Sequence, residues 1–184
     1  LVDSGFSVKA YLGSKGNAES FVALNGKSPS IVHIATHGFY YTPDEAKDKD
    51  FLSGYTDAMS LSGLVFAGGN AAWLGKKNVD GVLGGVLTAK DIANLDFKGT
   101  DLLVLSACKT GQGKVTAEGV FGLQRAFKKA GVGTIIMSLW NVDDKVTSEF
   151  MVAFYEQLTD KANNWNKRKA FEQTKEIIRK KHPD

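Results

Sequence analysis

Two residues are the clearest candidates for chemistry in this chain. They are its only cysteine, Cys108, and a histidine, His37. A thiol attacks a carbonyl as the thiolate, and a neighbouring imidazole or a helix N-terminus favours that ionised form. Cys108 comes soon after the apolar run 102–105, and His37 follows the β-branched run 31–36. Because open α/β sheets bind ligands beyond the carboxyl ends of their strands, we expect the two residues to meet as nucleophile and base. The alternative is a buried cysteine that only packs.

Backbone amides beside this pair are suited to a developing oxyanion. Residues 109–115 after Cys108 form a Gly-containing loop before a predicted helix, so their N–H groups are available to a negative charge. Gly38 directly follows His37 and has no Cβ to block the approach of a reacting carbonyl. The sequence therefore predicts an oxyanion hole at Gly38 and Cys108.

A metal site is a weaker interpretation of the histidines. His33 and His37 are four residues apart, which on a helix would suit two metal ligands. Their surroundings are strand-like, and no Asp, Glu or third His is close in sequence. His33 is therefore predicted to be a structural histidine, packed or hydrogen-bonded on its strand, and no metal or cofactor is expected.

Phosphate binding is also disfavoured around the cysteine. Gly113-Lys114 is similar to the end of a P-loop, but Val115 stands where Ser or Thr should hold magnesium. Cys108 and Lys114 have the spacing of a cysteine phosphatase cradle. That cradle needs an arginine, whose planar fork grips phosphate in a bidentate way that lysine cannot reproduce.

The elements that must position these residues alternate between strands and helices. Short apolar or β-branched runs predict strands, at residues 5–13, 31–36, 60–67, 101–106 and 133–140. Capping residues and periodicity predict helices, at residues 17–25, 88–95, 117–130, 146–158 and 167–181. A polar stretch, 41–57, is predicted to be a surface loop. This alternation predicts an α/β layer fold with a mostly parallel sheet.

Composition restricts the class of protein and of partner. The chain has 184 residues, of which 43% are hydrophobic and 23% charged, as in one globular domain. Its net charge of +3 is too small to favour nucleic acid, and no apolar run reaches the roughly 18–20 residues of a transmembrane helix. A lone cysteine forms no internal disulfide, which favours a reducing, cytoplasmic location. Because the first residue is Leu1, residues 1–184 are expected to be a single domain from a larger protein.

Several blocks in one order resemble the CHAT domain, a caspase-like peptidase domain related to separase and often found with tetratricopeptide repeats. They include IVHIATHGFYY, LSGLVFAG, DLLVLSACKTGQGKVTAEGVFGLQRAFKKAG and SLWNVDDKVTSEFMVAFYEQL, within residues 29–158. The resemblance implies a caspase-like three-layer α/β/α sandwich with a mostly parallel central sheet. It implies cysteine endopeptidase activity through a dyad of His37 and Cys108. Such an enzyme acts on a protein or peptide substrate and is expected to be latent until a repeat domain or another regulatory domain activates it.

The resemblance also assigns roles to acidic residues. Residues 138–144 are similar to the Leu-Trp-x-Val-x-Asp run of separase, which cleaves after arginine, so Asp144 is expected to attract a basic substrate side chain. The alternative is that Asp143 or Asp144 caps the next helix. Glu118 matches the family pattern too, and it either orients the cysteine loop or lies at a helix N-terminus.

A second hypothesis is a non-catalytic CHAT module that recruits or signals to other proteins. Both dyad residues are present, which favours the enzyme. Under either hypothesis, the stretches 41–57 and 68–85 are the natural places for gating.

Overall fold

A computed structural model describes residues 5–49, 52, 54–70, 85–106, 117–138 and 143–183. The chain divides into two compact units. One is Tyr11–Asn141, and the other combines Leu1–Ala10 with Val142–Asp184. The architecture is mixed α/β with a parallel three-stranded sheet, which is consistent with a caspase-like α/β fold and confirms the predicted fold class. The expectation of a single domain over residues 1–184 stays a prediction.

The strands in chain order are β1 (Ile31–Ile34), β2 (His37–Tyr40), β3 (Ser62–Val65), β4 (Val86–Thr88), β5 (Leu102–Leu105) and β6 (Thr134–Met137). The helices are α1 (Ala18–Val22), α2 (Pro43–Ala46), α3 (Ala89–Ile92), α4 (Ala117–Lys129), α5 (Asp144–Thr159) and α6 (Lys167–Lys181). Short 3₁₀ turns occur at Gly13–Lys15 and Lys161–Asn163.

The first sheet is parallel, with β5 between β1 and β6. Its register sets Ile34 opposite Leu105, and Leu105 opposite Met137. All four residues of β5 are buried, as expected of a continuous apolar run in the middle of a parallel sheet. Side chains from one face of this sheet enter the larger hydrophobic cluster, which includes Phe21, Val32, Ile34, Phe97, Leu103, Leu105, Leu123 and Phe127.

The second sheet is antiparallel, in the order β2-β3-β4. Its register sets His37 opposite Val65 and Gly38 opposite Leu64. A smaller hydrophobic cluster forms around it, from Phe39, Tyr41, Ala46, Leu52, Leu61 and Val86. The sequence predicted β3 within residues 60–67 but neither β2 nor β4.

Helix α4 shows why the chain folds as it does after the cysteine loop. Leu123, Ala126, Phe127 and Ala130 are buried, at the spacing of one helix face. The helix ends in a Schellman motif, in which Gly131 has a φ of +100° and the Val132 N–H donates to the Phe127 carbonyl over 3.1 Å. This confirms the predicted stop at Gly131.

The second unit contains α5 and α6 joined through Lys161–Asn163. The ring of Phe171 packs edge-on against Phe150 and Phe154, with centroids 5.4 and 6.4 Å away. Asn163 is buried, and its side-chain amide donates to the Gln157 carbonyl over 2.8 Å. Both helices were predicted from the sequence.

Two further stretches differ from the prediction. Residues 6–12 lie in neither a helix nor a strand, although a short strand was expected there. The predicted surface loop 41–57 contains α2, which begins with a capping box between Thr42 and Glu45. The same stretch buries Tyr41, Ala46 and Leu52, which pack in the smaller hydrophobic cluster with residues of the antiparallel sheet.

Candidate active site

His37 is the first residue of β2, and it is exposed while the three residues after it are buried. The chain is held to β3 both at His37 and at the residue before it. His37 pairs with Val65, and the hydroxyl of the preceding Thr36 donates to the Val65 carbonyl. The imidazole is therefore reachable from solvent on a backbone that is held in place. Sequence reasoning missed this role of Thr36.

Gly38 is buried and lies opposite Leu64. In this antiparallel pair the Tyr41 N–H donates to the Leu61 carbonyl. On the other side of β3, the Phe66 N–H donates to the carbonyl of Gly85, which directly precedes β4. Since hydrogen-bonded and non-hydrogen-bonded pairs alternate, Gly38 and Leu64 form a non-hydrogen-bonded pair. The Gly38 N–H therefore points away from β3, as an amide that is to bind a ligand must.

Cys108 lies outside the described residues, which end at Ser106 and resume at residue 117. What the structure describes is the strand that leads to it. The Ser106 N–H donates to the Ile34 carbonyl over 2.9 Å, so β1 and β5 stay paired up to this residue. The roles predicted for Cys108, as nucleophile and as part of the oxyanion hole, stay predictions.

His33 is hydrogen-bonded on its strand, as predicted. Its Nε2 lies 3.0 Å from the Ser106 Oγ. The residue retains access to solvent, but burial of its surroundings lowers the pKa of the imidazole below its ordinary value. From the sequence, Ser106 was included in the predicted strand 101–106 and was assigned no role. The sequence contained one signal for this contact, a hydroxyl side chain at the end of one buried strand and a histidine within another.

The acidic candidates are only partly described. Asp143 caps α5, since its carboxylate accepts from the Val146 N–H over 2.9 Å. This confirms the capping alternative for Asp143. Asp144 is the first residue of α5 and Glu118 lies in α4, but the side chains of both are outside the described part of the chain. The substrate-binding role of Asp144 stays a prediction.

The histidine spacing does not produce a metal site on a helix, because His33 and His37 lie on two different strands. Within the described ranges, no group of three or more His, Cys, Asp and Glu residues could hold a metal ion. Nor is any helix in those ranges long and apolar enough to cross a membrane.

Comparisons with known proteins agree with the resemblance in the sequence. A family model described as CHAT domain matches residues 1–184, the whole chain. Tetratricopeptide repeat protein 28 of Homo sapiens is 40% identical over 73 residues, and its Mus musculus counterpart is 38% identical over 73 residues. Each match covers 40% of this chain and only 3% of the relative's length. No solved structure matches the chain.

Proposed function

This chain belongs to the CHAT domain family, and on that premise we propose that it is a cysteine endopeptidase, latent until activated, with Cys108 as nucleophile and His37 as general acid and base. The register of the parallel sheet carries the proposal. Ile34 pairs with Leu105, and in the sequence His37 and Cys108 each come three residues after these paired positions. Two strands that end in register direct both segments to the same edge of the sheet, where α/β folds bind ligands.

The proposed reaction begins with attack of the Cys108 thiolate on a peptide carbonyl. The C–N bond breaks as His37 donates a proton to the departing amine, which leaves an acyl-enzyme. The same imidazole then takes a proton from water, and the resulting hydroxide releases the carboxylic acid and the thiolate. The exposure of His37 supports this double role, because the imidazole must reach substrate and then water.

The oxyanion that forms in both steps needs backbone donors. We assign this role to the amides of Gly38 and Cys108. The Gly38 N–H points away from β3, which supports its part of the assignment. A missing donor in such a site lowers the turnover number by about 10²–10³-fold.

Substrate choice is proposed to depend on Asp144, whose carboxylate would attract an Arg or Lys side chain before the cut. Because Asp143 already caps α5, Asp144 is not needed for that purpose. Asp144→Asn should therefore lower cleavage after Arg and Lys by about tenfold or more, since an ionised partner strengthens a hydrogen bond by about 1.4 kcal/mol or more. A variant with an unchanged preference would remove Asp144 from the site.

The decisive experiment follows cleavage of a panel of peptides with basic or apolar residues before the cut. Cys108→Ala should abolish cleavage, because no other thiol exists in the chain. His37→Ala should lower the turnover number by about 10²–10⁴-fold through lost general acid and base catalysis. His182→Ala, a histidine at the end of α6, is the matched control and should retain wild-type activity. Undiminished turnover by either dyad variant would rule out the mechanism.

A second candidate function is a non-catalytic interaction module. The curated relatives are named for tetratricopeptide repeats, and arrays of repeats present binding surfaces. Under this proposal the domain binds a partner or a repeat domain in the cytoplasm without turnover. A binding partner retained by Cys108→Ala, with no cleavage of any peptide by the wild type even when that partner is bound, would favour the module over the peptidase.

A further inference from the structure

A hydrogen bond between two neighbouring strands lies just before the segment that contains Cys108. The imidazole Nε2 of His33, on β1, is 3.0 Å from the hydroxyl of Ser106, which directly follows β5. In the sequence, Cys108 is two residues beyond Ser106. His33 and Ser106 have no part in the proposed reaction, so this contact needs a separate explanation.

Ser106 is held to β1 at two points. Its N–H donates to the Ile34 carbonyl over 2.9 Å, and its side chain meets His33. The backbone bond alone continues the ladder of the parallel sheet. The side-chain contact is an additional restraint at the position where β5 has ended and no further strand residue on β5 pairs with β1.

The two side chains share the face of the sheet that is opposite the larger hydrophobic cluster. His33 pairs with Val104, whose side chain points to the same face as that of Ser106, because side chains alternate along a strand. Val32, Ile34, Leu103 and Leu105 enter the larger cluster from the other face. The hydrogen bond therefore restrains the strand end from a side where those core contacts do not act.

We propose that His33 and Ser106 are positioning residues, whose hydrogen bond fixes the end of β5 from which the chain continues to the nucleophile. This proposal rests on the proposed function. The lowered pKa of His33 is consistent with it, because a neutral imidazole keeps one nitrogen able to accept the Ser106 proton. A nucleophile displaced by about 1 Å reacts up to about 10²-fold more slowly, so a restraint at this position has a large effect.

The test is alkylation of Cys108 by iodoacetamide as a function of pH, read by intact mass, in the whole 184-residue chain. The loss variants are His33→Leu, Ser106→Ala and their combination. His33→Gln is the rescue variant, because its terminal amide oxygen can replace the imidazole Nε2 as acceptor of the Ser106 proton. His37→Ala reports on the dyad itself, and His182→Ala is the matched control. Near-ultraviolet circular dichroism verifies that each variant retains its fold.

The proposal expects the wild-type thiol to titrate below about 8.5, the value of a free cysteine. Both single loss variants should raise this apparent pKa toward 8.5 and lower the alkylation rate at neutral pH by up to about 30-fold, because a thiol with a pKa of about 8.5 is only about 3% ionised at pH 7. The double variant should resemble either single one, because both remove the same bond. His33→Gln should restore most of the rate, which a purely structural loss would not allow.

Two outcomes overturn the proposal in distinguishable ways. If the loss variants titrate like the wild type, or if their effects add, while His37→Ala moves the thiol to about 8.5, the pair is not a positioning device and the dyad stands. If the wild-type thiol itself titrates near 8.5 and His37→Ala changes nothing, the dyad is absent and the pair is refuted with it.

Discussion

The two sheets of the Tyr11–Asn141 unit support the two halves of the proposed dyad by different means. The parallel sheet leads to Cys108 through β5, whose four residues are all buried within the sheet. The antiparallel sheet supports His37 at the exposed start of β2, through backbone pairing and the Thr36 hydroxyl. The proposed nucleophile therefore follows a strand that is buried at every position, whereas the proposed base lies at the exposed end of its strand, where hydrogen bonds to β3 hold the chain.

This difference predicts that the support of His37 opens before the support of Cys108 when the fold is destabilised. Close packing resists small displacements, whereas the exposed end of a strand opens at a lower free energy. The two hydrophobic clusters differ in a related way, since the larger contains the inward residues of β1 and β5 together with Leu64 of β3, and the smaller contains Phe39 of β2 and Val86 of β4. Substitutions of equal chemistry in the two clusters test the comparison directly.

The largest effect is expected from Leu103→Ala in β5. Leu103 is 0% exposed in the larger cluster, between strands on both sides, so the cavity cannot collapse. The free energy of unfolding should fall by about 4–5 kcal/mol, the upper part of the range for Leu→Ala. Chemical denaturation measures it.

Leu61→Ala is the matched substitution in the smaller cluster. Leu61 is 1% exposed, and we expect a loss of about 2–3 kcal/mol, because a smaller cluster that includes Ala46 of the short helix α2 should close more readily around the cavity. Equal losses at the two positions would contradict the claim that the clusters differ in rigidity.

The next effect comes from Gly122→Ala, where α4 meets the antiparallel sheet. Ala normally stabilises a helix interior over Gly by about 1 kcal/mol. Here the added Cβ would overlap the Ser62 hydroxyl and come within 3.2 Å of the Ala58 carbonyl. Ser62 cannot turn away without breaking its 2.6 Å hydrogen bond to Ala58, so we expect a net loss of about 1–3 kcal/mol.

A double substitution provides the control for that contact. Ser62→Ala removes the overlapping oxygen, so it should recover part of the stability lost in Gly122→Ala, as a positive coupling in a double-mutant cycle. Strictly additive losses in thermal or chemical unfolding would mean that the helix shifts as a body and that Ser62 does not limit its approach.

The same contrast governs what the sequence predicted. β1, β5 and β6 were predicted from runs such as Leu102 to Leu105, since a strand buried on both faces is apolar at every position. β2 was missed because it begins with His-Gly and because all three residues after His37 are buried, with no alternation of polar and apolar positions. β4 has three residues, too few for any pattern. The expected strand at 5–13 failed because its apolar residues, such as Val8, are exposed and pair with neither of the two sheets that the described residues form.

The sequence predicted the residue types of the candidate site but not the hydrogen bonds that hold its strands in place. His37 and Cys108 were identified from their positions after buried strands. The His33–Ser106 contact spans 73 residues of sequence, and it depends on the β1–β5 register, which no local pattern specifies. The contact from Thr36 to Val65 depends in the same way on the pairing of β2 with β3.

A smaller effect is expected from the cap that ends the antiparallel sheet. Thr88 is the last residue of β4 and the N-cap of α3, where its hydroxyl accepts from the Asp91 N–H over 3.2 Å and the Asp91 carboxylate accepts from the Thr88 N–H over 2.9 Å. Thr88→Ala should cost about 1 kcal/mol of unfolding free energy. Thr88→Ser retains the cap and should lie within about 0.5 kcal/mol of the wild type. A full loss in the serine variant would show that the threonine methyl, not the cap, is responsible.

The smallest effect expected is a pH dependence that belongs to the parallel sheet. Burial lowers the pKa of His33 in the folded state below the unfolded value of about 6.5. Between these two values the unfolded chain binds more protons, so the free energy of unfolding falls as the pH drops below about 6.5 and levels off below the folded pKa.

This slope should disappear in His33→Gln and persist in His37→Ala, as measured by denaturant unfolding at successive pH values. Hydrogen bonds from His182 and Lys181 lower the pKa of Glu149 to about 2, so this carboxylate stabilises the fold until the pH falls below its unfolded pKa of 4.5. The unfolding measurements should therefore be made above about pH 5, where Glu149 does not contribute to the slope. A slope between pH 6.5 and 5 that survives in His33→Gln would assign it to another group. It would also show that the face of the parallel sheet bearing His33 tolerates a charged imidazole beside Ser106.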